Sequence, residues 1–413
     1  MTKSVLMLSP EPPYPLQGGG AFRIASLVHY FAKFADVDLV LFSESGRPAV
    51  VPEGLLRSQT VIRLPVHQTN TAARYLRNAR RALRGVPPLV DRLAGHQEEL
   101  AGILSGRRYD VGIIEHFWGA PYVEQLGMVC NKTVLDLHNV ESVLHARCGE
   151  TSGGLVAAGQ RRFAGCSEAL EGRLLPKFSL VLATSATDAA MTRRIAPGSR
   201  VEIYPNAIPE MDVPAVLEQP VVVFSGNFEY HPNIDAVRFL VHSIWPEVRK
   251  RCPELRLRLV GRGDSFIRHL LPSGMGIETT GQIDNAMAEI ATARIVVAPL
   301  RAGSGTRIKI LEAWATARPV IATSVAAEGL EYRALEYGQG QGRESVSEPL
   351  VQRGNDDLWI ANDGHSIADA IVRLNADPER RARLAAGGLR LFRQRYTWQA
   401  AWRTLDANWF ASQ

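Results

Sequence analysis

Short apolar runs recur along this chain, with amphipathic stretches of helical period between them. The first run, Val5–Leu8, reads as a strand. A Pro/Gly-rich loop, Pro10–Gly20, follows it, then a helix over about Ala21–Phe34 and a second strand, Asp38–Phe42. That is a βαβ opening, and such units build parallel sheets. Val61–Leu64, Val111–Glu115, Thr133–Leu137 and Leu180–Thr184 continue the series as short apolar strands of the kind buried on both faces. After a polar, Pro-bearing stretch, Pro209–Pro220, a second series starts with Val221–Ser225. It runs through Leu255–Val260, Ile277–Thr279, Ile295–Ala298 and Val320–Thr323, the last clear strand. Tyr337–Ser347 reads as an exposed, mobile loop, and the chain from about Asp377 as helical, Arg-rich and ending in tryptophans. The pattern predicts two Rossmann-like α/β domains with parallel sheets facing across a cleft. Ligands in such folds sit beyond the carboxyl ends of the strands.

A length of 413 residues exceeds one compact core and fits that division. Hydrophobic residues at 46% and charged residues at 22% exclude a disordered chain. The net charge of +5 is carried mostly by Arg, whose guanidinium fork matches phosphate oxygens. The four cysteines have no CxxC spacing, which argues against a zinc knuckle and a disulfide framework alike. No run approaches the ~20 apolar residues of a membrane helix, and Val5–Leu8 is too short for a signal peptide. The expected location is cytoplasmic, with peripheral contact to the inner membrane surface left open. Ala73–Val86 bears on that point: Arg77, Arg80, Arg81 and Arg84 recur at helical spacing, with Leu76, Ala79 and Leu83 opposite them. A solvated helix covering the N-terminal domain is preferred over one docked on anionic lipid. Basic charge interleaved with aromatics is lacking, so no nucleic-acid partner is expected.

Two segments carry chemistry. Gly18-Gly19-Gly20 lies between the first strand and the first helix, where backbone N–H groups approach a phosphate and the helix start adds partial positive charge. A plain flexible turn is the other reading. The second segment is Ala298–Leu330. Here a strand leads into Gly303-Ser304-Gly305-Thr306, then a helix with Arg307, Lys309 and Glu312. Two cations at a helix start oppose its macrodipole, so an anion such as a pyrophosphate is expected to compensate them. Asp36-Val37-Asp38 imitates a metal-binding DxD, but it spans a helix–strand turn and the strand after it; no metal is expected.

The stretch GSGTRIKILEA…PVIAT…EGL resembles the nucleotide-sugar signature of the family 4 glycosyltransferases, which have the GT-B fold and retain anomeric configuration. PPYPLQGGG, Tyr204-Pro205-Asn206-Ala207, VVVFSGNFEYHPN, Leu259-Val260-Gly261-Arg262-Gly263 and Thr280-Gly281-Gln282 fall in the family's order. The resemblance implies two domains. Residues 1–205 would bind the acceptor and 206–385 the nucleotide sugar, with helices of about 386–413 crossing back to the first. It places the donor diphosphate near Gly19, Gly20, Gly226, Asn227, Arg262 and the loop Gly303, Ser304, Gly305, Thr306. Glu312 would hold the ribose, and Gln282 and Ile283 the base. It sets His138 beside the transferring sugar, and His116, Asp136 and Asn139 on the acceptor side. No cofactor is implied beyond the nucleotide diphosphate sugar as co-substrate. The acceptor, a glycan, a lipid-linked sugar or a small molecule, is unspecified.

The sequence departs from the family twice. Ser304 replaces the first Glu of a paired-Glu motif, eight residues before Glu312. Asn227 and Asn233 stand where an Arg and a Lys usually follow the first strand of the second domain. Arg307 and Lys309 are therefore expected to neutralise the leaving diphosphate, where charge develops. Alternatives on the same architecture are a glycoside phosphorylase, a sugar-nucleotide epimerase and a non-catalytic sugar-nucleotide-binding protein.

Overall fold

The computed structural model describes residues 3–66, 71–210, 216–303, 308–336 and 356–409. Its contacts divide the chain into two compact units: 1–209 with 401–413, and 210–303 with 307–400. Each is built on one sheet.

In the first unit the strands are β1 (Lys3–Ser9), β2 (Ala35–Ser43), β3 (Ser58–Arg63), β4 (Tyr109–Glu115), β5 (Cys130–Leu137), β6 (Leu180–Ala183) and β7 (Val201–Ile203). Their order is β3-β2-β1-β4-β5-β6-β7, every pairing parallel. Apolar side chains of β1, β4 and β5 are buried on both faces, as a sheet covered by helices requires. The strand order reverses between β1 and β4, because β1 leads to β2 on one side while β4 and β5 extend the other. The switch-point crevice therefore lies at the carboxyl ends of β1 and β4.

In the second unit the strands are β8 (Val221–Ser225), β9 (Arg256–Val260), β10 (Ile277–Thr279), β11 (Ile295–Ala298), β12 (Val320–Ala322), β13 (Ala334–Glu336) and β14 (Leu358–Ile360). The order β10-β9-β8-β11-β12-β14-β13 is again all parallel, with its switch point between β8 and β11. The sequence pattern misses β7, β13 and β14. Each has only three residues, as do β10 and β12, which the pattern does find. The segment Tyr337–Ser347 lies outside the described residues.

The C-terminal segment joins the first unit later than the expected 386. The helix Pro378–Leu391 packs inside the second unit, where a Cβ on Gly388 would collide with the Trp314 ring. From Ala401 the chain belongs with the first unit. Trp402 Nε1 donates to the Ser26 carbonyl and to Ser26 Oγ, both at 3.1 Å, while the Lys33 ammonium lies 3.5 Å from the Trp402 ring centroid. All four cysteines are buried and free. Among the described residues no helix is long and apolar enough to cross a membrane.

Candidate functional site

At the β1/β4 switch point, β1 ends at Ser9 and the helix Gly19–Phe31 begins beyond the glycine loop, with Gly18 at φ 89°. Gly20 lies against the Glu11 carboxylate, which a Cβ there would push aside, and 3.5 Å from that Cβ position is His116 Nε2. Thus Glu11, one of the chain's own carboxylates, lies at the helix start that the sequence reading offers to a phosphate.

β4 delivers Glu115 and His116, and β5 delivers Asp136, Leu137 and His138. His138 Nε2 lies 2.9 Å from Glu115 Oε2 and 3.4 Å from Asp136 Oδ2. Arg23, on the first helix, closes the cluster. Its Nε donates to Asp136 Oδ2 at 2.7 Å and its Nη2 to Asp136 Oδ1 at 2.5 Å. Its Nη1 donates to the Tyr204 carbonyl at 2.7 Å and to Asn206 Oδ1 at 2.9 Å. The Tyr204-Pro205-Asn206 turn is therefore tied to the switch point by a buried cation. His116 is buried at φ 63°, a strained backbone for a non-glycine residue. Its ring stacks on Trp118 at 4.1 Å and on His138 at 3.6 Å between centroids. Neither of its nitrogens makes a hydrogen bond, and Glu11 Oε2 is 3.7 Å from Nε2. Backbone strain and two unmet buried polar atoms thus fall on one residue.

Burial sets the protonation here. It pushes the Glu115 carboxyl well up, reinforced by Asp136 nearby. Asp136 meets the same burial, but Arg23 and His138 together more than offset it and hold the carboxyl well below its usual range. Burial, with His116 alongside, lowers His138 to about 4. The cluster thus holds one closed Arg–Asp ion pair, a carboxyl whose charged form burial disfavours and an imidazole that is neutral near pH 7. Glu141, whose Oε1 accepts from Trp118 Nε1 at 3.0 Å, is pushed to about 8 by burial. Asn139 follows His138 and is half-buried.

Glu115, Asp136 and His138 place ligand atoms within 4.8 Å of one another, the one such group among the described residues. Both Asp136 oxygens are already taken by Arg23 and one Glu115 oxygen faces His138. A metal ion would have to displace a bidentate guanidinium, so this donor set does not fit one. The Asp36–Asp38 pair lies at the opposite, amino end of β2. There Asp38 accepts from Arg57 Nε at 3.0 Å, Ser58 Oγ at 2.8 Å and Tyr109 Oη at 2.8 Å.

At the β8/β11 switch point, Lys309 projects from the helix Ile308–Ala315. Its Nζ donates to Asn233 Oδ1 at 2.8 Å and lies 4.2 Å from the Phe224 ring centroid. A Cβ on Gly226 would stand 3.2 Å from that Nζ and 2.8 Å from Asn233 Nδ2. Asn233 Nδ2 donates to the Asn227 carbonyl at 2.8 Å. The ammonium of Lys309 thus reaches the loop after β8, beside one of the two asparagines that stand in the family's cationic positions. Gly303, at φ 130°, ends the described part of the loop after β11; Ser304, Gly305, Thr306 and Arg307 lie outside the described residues. Glu312 is one turn past Lys309, half-buried, and pushed by burial to about 7. Arg262 is exposed in the loop after β9, where its carbonyl accepts from Phe228 N at 2.9 Å. Gln282 and Ile283 follow the edge strand β10, two strands from β8.

Sequence reasoning misses Glu11, Arg23, Glu115 and Trp118. Arg23 is one arginine among many, and its partner is 113 positions away. The signals available were a charged residue inside an apolar helix, Ala21–Phe31, and an acid closing an otherwise apolar strand, Val111–Glu115.

Residues 219–377 match the family model of group 1 glycosyl transferases. No curated protein matches the chain. Among solved structures it is similar to sucrose-phosphate synthase from Thermosynechococcus elongatus, at a TM-score of 0.71 and 16% identity over 100% of each chain. It is similar to Anabaena HepE in complex with UDP and glucose, at 0.62 and 13% over 98% of each. Trehalose-6-phosphate synthase OtsA gives 0.65 and 14%, also over 98% of each. Two parallel-sheet Rossmann-like units and these likenesses make the fold GT-B, and the match to the group 1 glycosyl transferase model falls within its second unit.

Proposed function

We propose that the chain transfers a sugar from a nucleoside diphosphate sugar to an acceptor hydroxyl. The observation that carries this is the Lys309 ammonium at the β8/β11 switch point, set against Gly226 inside the segment that matches the glycosyltransferase model. A glycine that lets a backbone approach closely, together with a cation, suits a diphosphate. Glu312, one turn further along the helix, suits ribose hydroxyls. The first unit supplies the acceptor side: His138 offers an uncharged imidazole and His116 two unmet ring nitrogens to hydroxyls, while Arg23 is consumed by Asp136. Retention of configuration and independence of metal belong to the same reading, through the resemblance of the Gly303–Leu330 stretch. So does a role in making a surface polysaccharide, a glycolipid or a glycosylated natural product. HepE, similar in fold, is described in complex with UDP and glucose, which supports a nucleotide-sugar donor here.

Calorimetric titration with UDP, GDP, ADP and dTDP tests the reading, first in EDTA and then with magnesium, on the wild type and on Lys309→Ala. One nucleotide is expected to bind without metal and to weaken at least ~10-fold in the variant, the scale of one charge-assisted hydrogen bond. Silence with all four nucleotides would overturn the donor site.

A further inference from the structure

The helix Thr71–Arg84 is turned opposite to the way a covering helix should lie. Leu76 and Leu83 are 55% and 85% exposed, and Ala79 between them is exposed too. The side toward the rest of the unit is polar: Asn78, Arg81 and Ala82 are half-buried, and Arg81 Nε donates to Asp91 Oδ2 at 2.8 Å. A neighbouring helix, Gly154–Leu174, runs alongside. Arg162 Nε donates to the Ala82 carbonyl at 3.2 Å, and a Cβ on Gly85 would stand 3.8 Å from Cys166 Sγ. Both contacts pair positions about 80 apart, so the helices run parallel in near register. At 1.5 Å per residue on each, Leu76 lies level with Leu155 and Val156. These two are 90% and 42% exposed. The first helix has five arginines and no acid in its sequence. Arg80 and Arg84 lie on the same exposed side as the leucines, and Arg161 and Arg162 are exposed on the second helix.

We propose that this pair of helices is a docking surface for an anionic lipid bilayer. Exposed leucines cost solubility unless something covers them. Here they are flanked by arginines, whose apolar stems lie along a hydrocarbon boundary while their heads meet lipid phosphates. Positive charge without acids on the helix complements the negative potential of a membrane surface. Folded protein partners would be matched by a groove; this face is a ridge of leucine flanked by arginines, of which Arg84 also donates to Asp91 Oδ1 at 3.3 Å, with Glu168 an exposed acid further along the second helix. The proposal does not depend on the sugar-transfer reading.

Vesicle flotation of the full chain tests it, with phosphatidylcholine alone and with added phosphatidylglycerol. The proteins are the wild type, Leu76→Ser/Leu83→Ser, Arg80→Ser/Arg84→Ser and, as a control elsewhere on the first unit, Val50→Ser, whose side chain is 91% exposed. The wild type and the control should float with the anionic vesicles and much less with the neutral ones, and salt should release them. Each paired variant should lose at least ~10-fold in vesicle affinity, the scale of two apolar side chains or two basic ones leaving the interface. Circular dichroism and urea midpoints unchanged from wild type would tie that loss to the surface. Wild type that stays with neither vesicle, or paired variants that float as well as it does, would overturn the proposal. So would light scattering that shows a dimer dispersed by the leucine changes, since a second copy would then be the cover.

Discussion

The two switch-point crevices occupy the same place in two similar sheets, yet they are built from opposite chemistry. At β1/β4 the chain buries Asp136, Glu115, His138 and His116 around a single arginine, and that arginine is fully engaged. At β8/β11 it sets a lysine among amides, glycine backbone and an aromatic ring. The fold decides where a ligand goes, and the local charge decides which kind. A buried cluster whose one cation is already bound by Asp136 offers an anion no free positive charge and suits hydroxyl groups. A lysine reaching a glycine loop suits phosphate. Two domains of one architecture can therefore divide a reaction between a polyol and a diphosphate.

The largest test of that contrast is Arg23→Met. Arg23 and Asp136 are both almost wholly buried, and removing the cation leaves Asp136 uncompensated beside Glu115. Breaking such a pair costs about 3–5 kcal/mol. Urea unfolding of the intact chain should show that loss in the transition of the first unit, while Lys309→Met should leave both transitions nearly unmoved. A loss under about 1 kcal/mol for Arg23→Met would mean that water reaches Asp136 and the two crevices differ less than their burial implies.

Next in size is the pH dependence of Glu141, held by burial at about 8 against an ordinary value of 4.5. Between those values the folded protein keeps a proton that the unfolded chain has lost, so stability falls as pH rises. Glu171, at about 7, acts with the same sign. His138 acts with the opposite sign: folded it titrates at about 4 rather than 6.5, so its share of stability rises with pH across that window. Glu141→Gln removes only the first contribution. Its stability relative to wild type should climb between pH 5 and pH 8, gaining about 3.5 kcal/mol, since each shifted unit corresponds to about 1.4 kcal/mol. Chemical denaturation at those two pH values measures it. An offset that does not change with pH would show that Glu141 is ionised in the fold and that the first crevice is wetter than described.

The contrast between the crevices was only half legible in the sequence. Strands such as Val111–Glu115 and Val221–Ser225 show as apolar runs because a parallel sheet buries both faces, and helix starts show through their glycines. The cationic crevice could be read because Gly303, Lys309 and Glu312 follow one another along the chain, so local order is nearly spatial order. The acidic one could not. Glu11, Arg23, Glu115, Asp136 and Asn206 come from five separate segments, and only the sheet order brings them together. His138 and Asp136 were visible as a motif, but the opposite shifts of the two acids depend on Arg23, which no spacing rule connects to them.

The smallest and most selective test concerns the second crevice alone. Asn233 holds the Lys309 ammonium through its side-chain oxygen and the Asn227 carbonyl through its nitrogen. Asn233→Asp turns the first contact into an ion pair and abolishes the second. Asn233→Ala abolishes both and adds no charge, so the difference between the two variants isolates the effect of neutralising Lys309. If that lysine meets a diphosphate, the aspartate variant should bind the preferred nucleoside diphosphate about tenfold more weakly than the alanine variant, a difference of about 1.4 kcal/mol. The corresponding uncharged nucleoside should bind the two variants alike, because it has no phosphate for the lysine to meet. Equal losses for nucleoside and diphosphate would assign Asn233 to holding the loop in shape. A diphosphate indifferent to the new carboxylate would place the phosphates away from Lys309, and the division of labour between the crevices would have to rest on other groups.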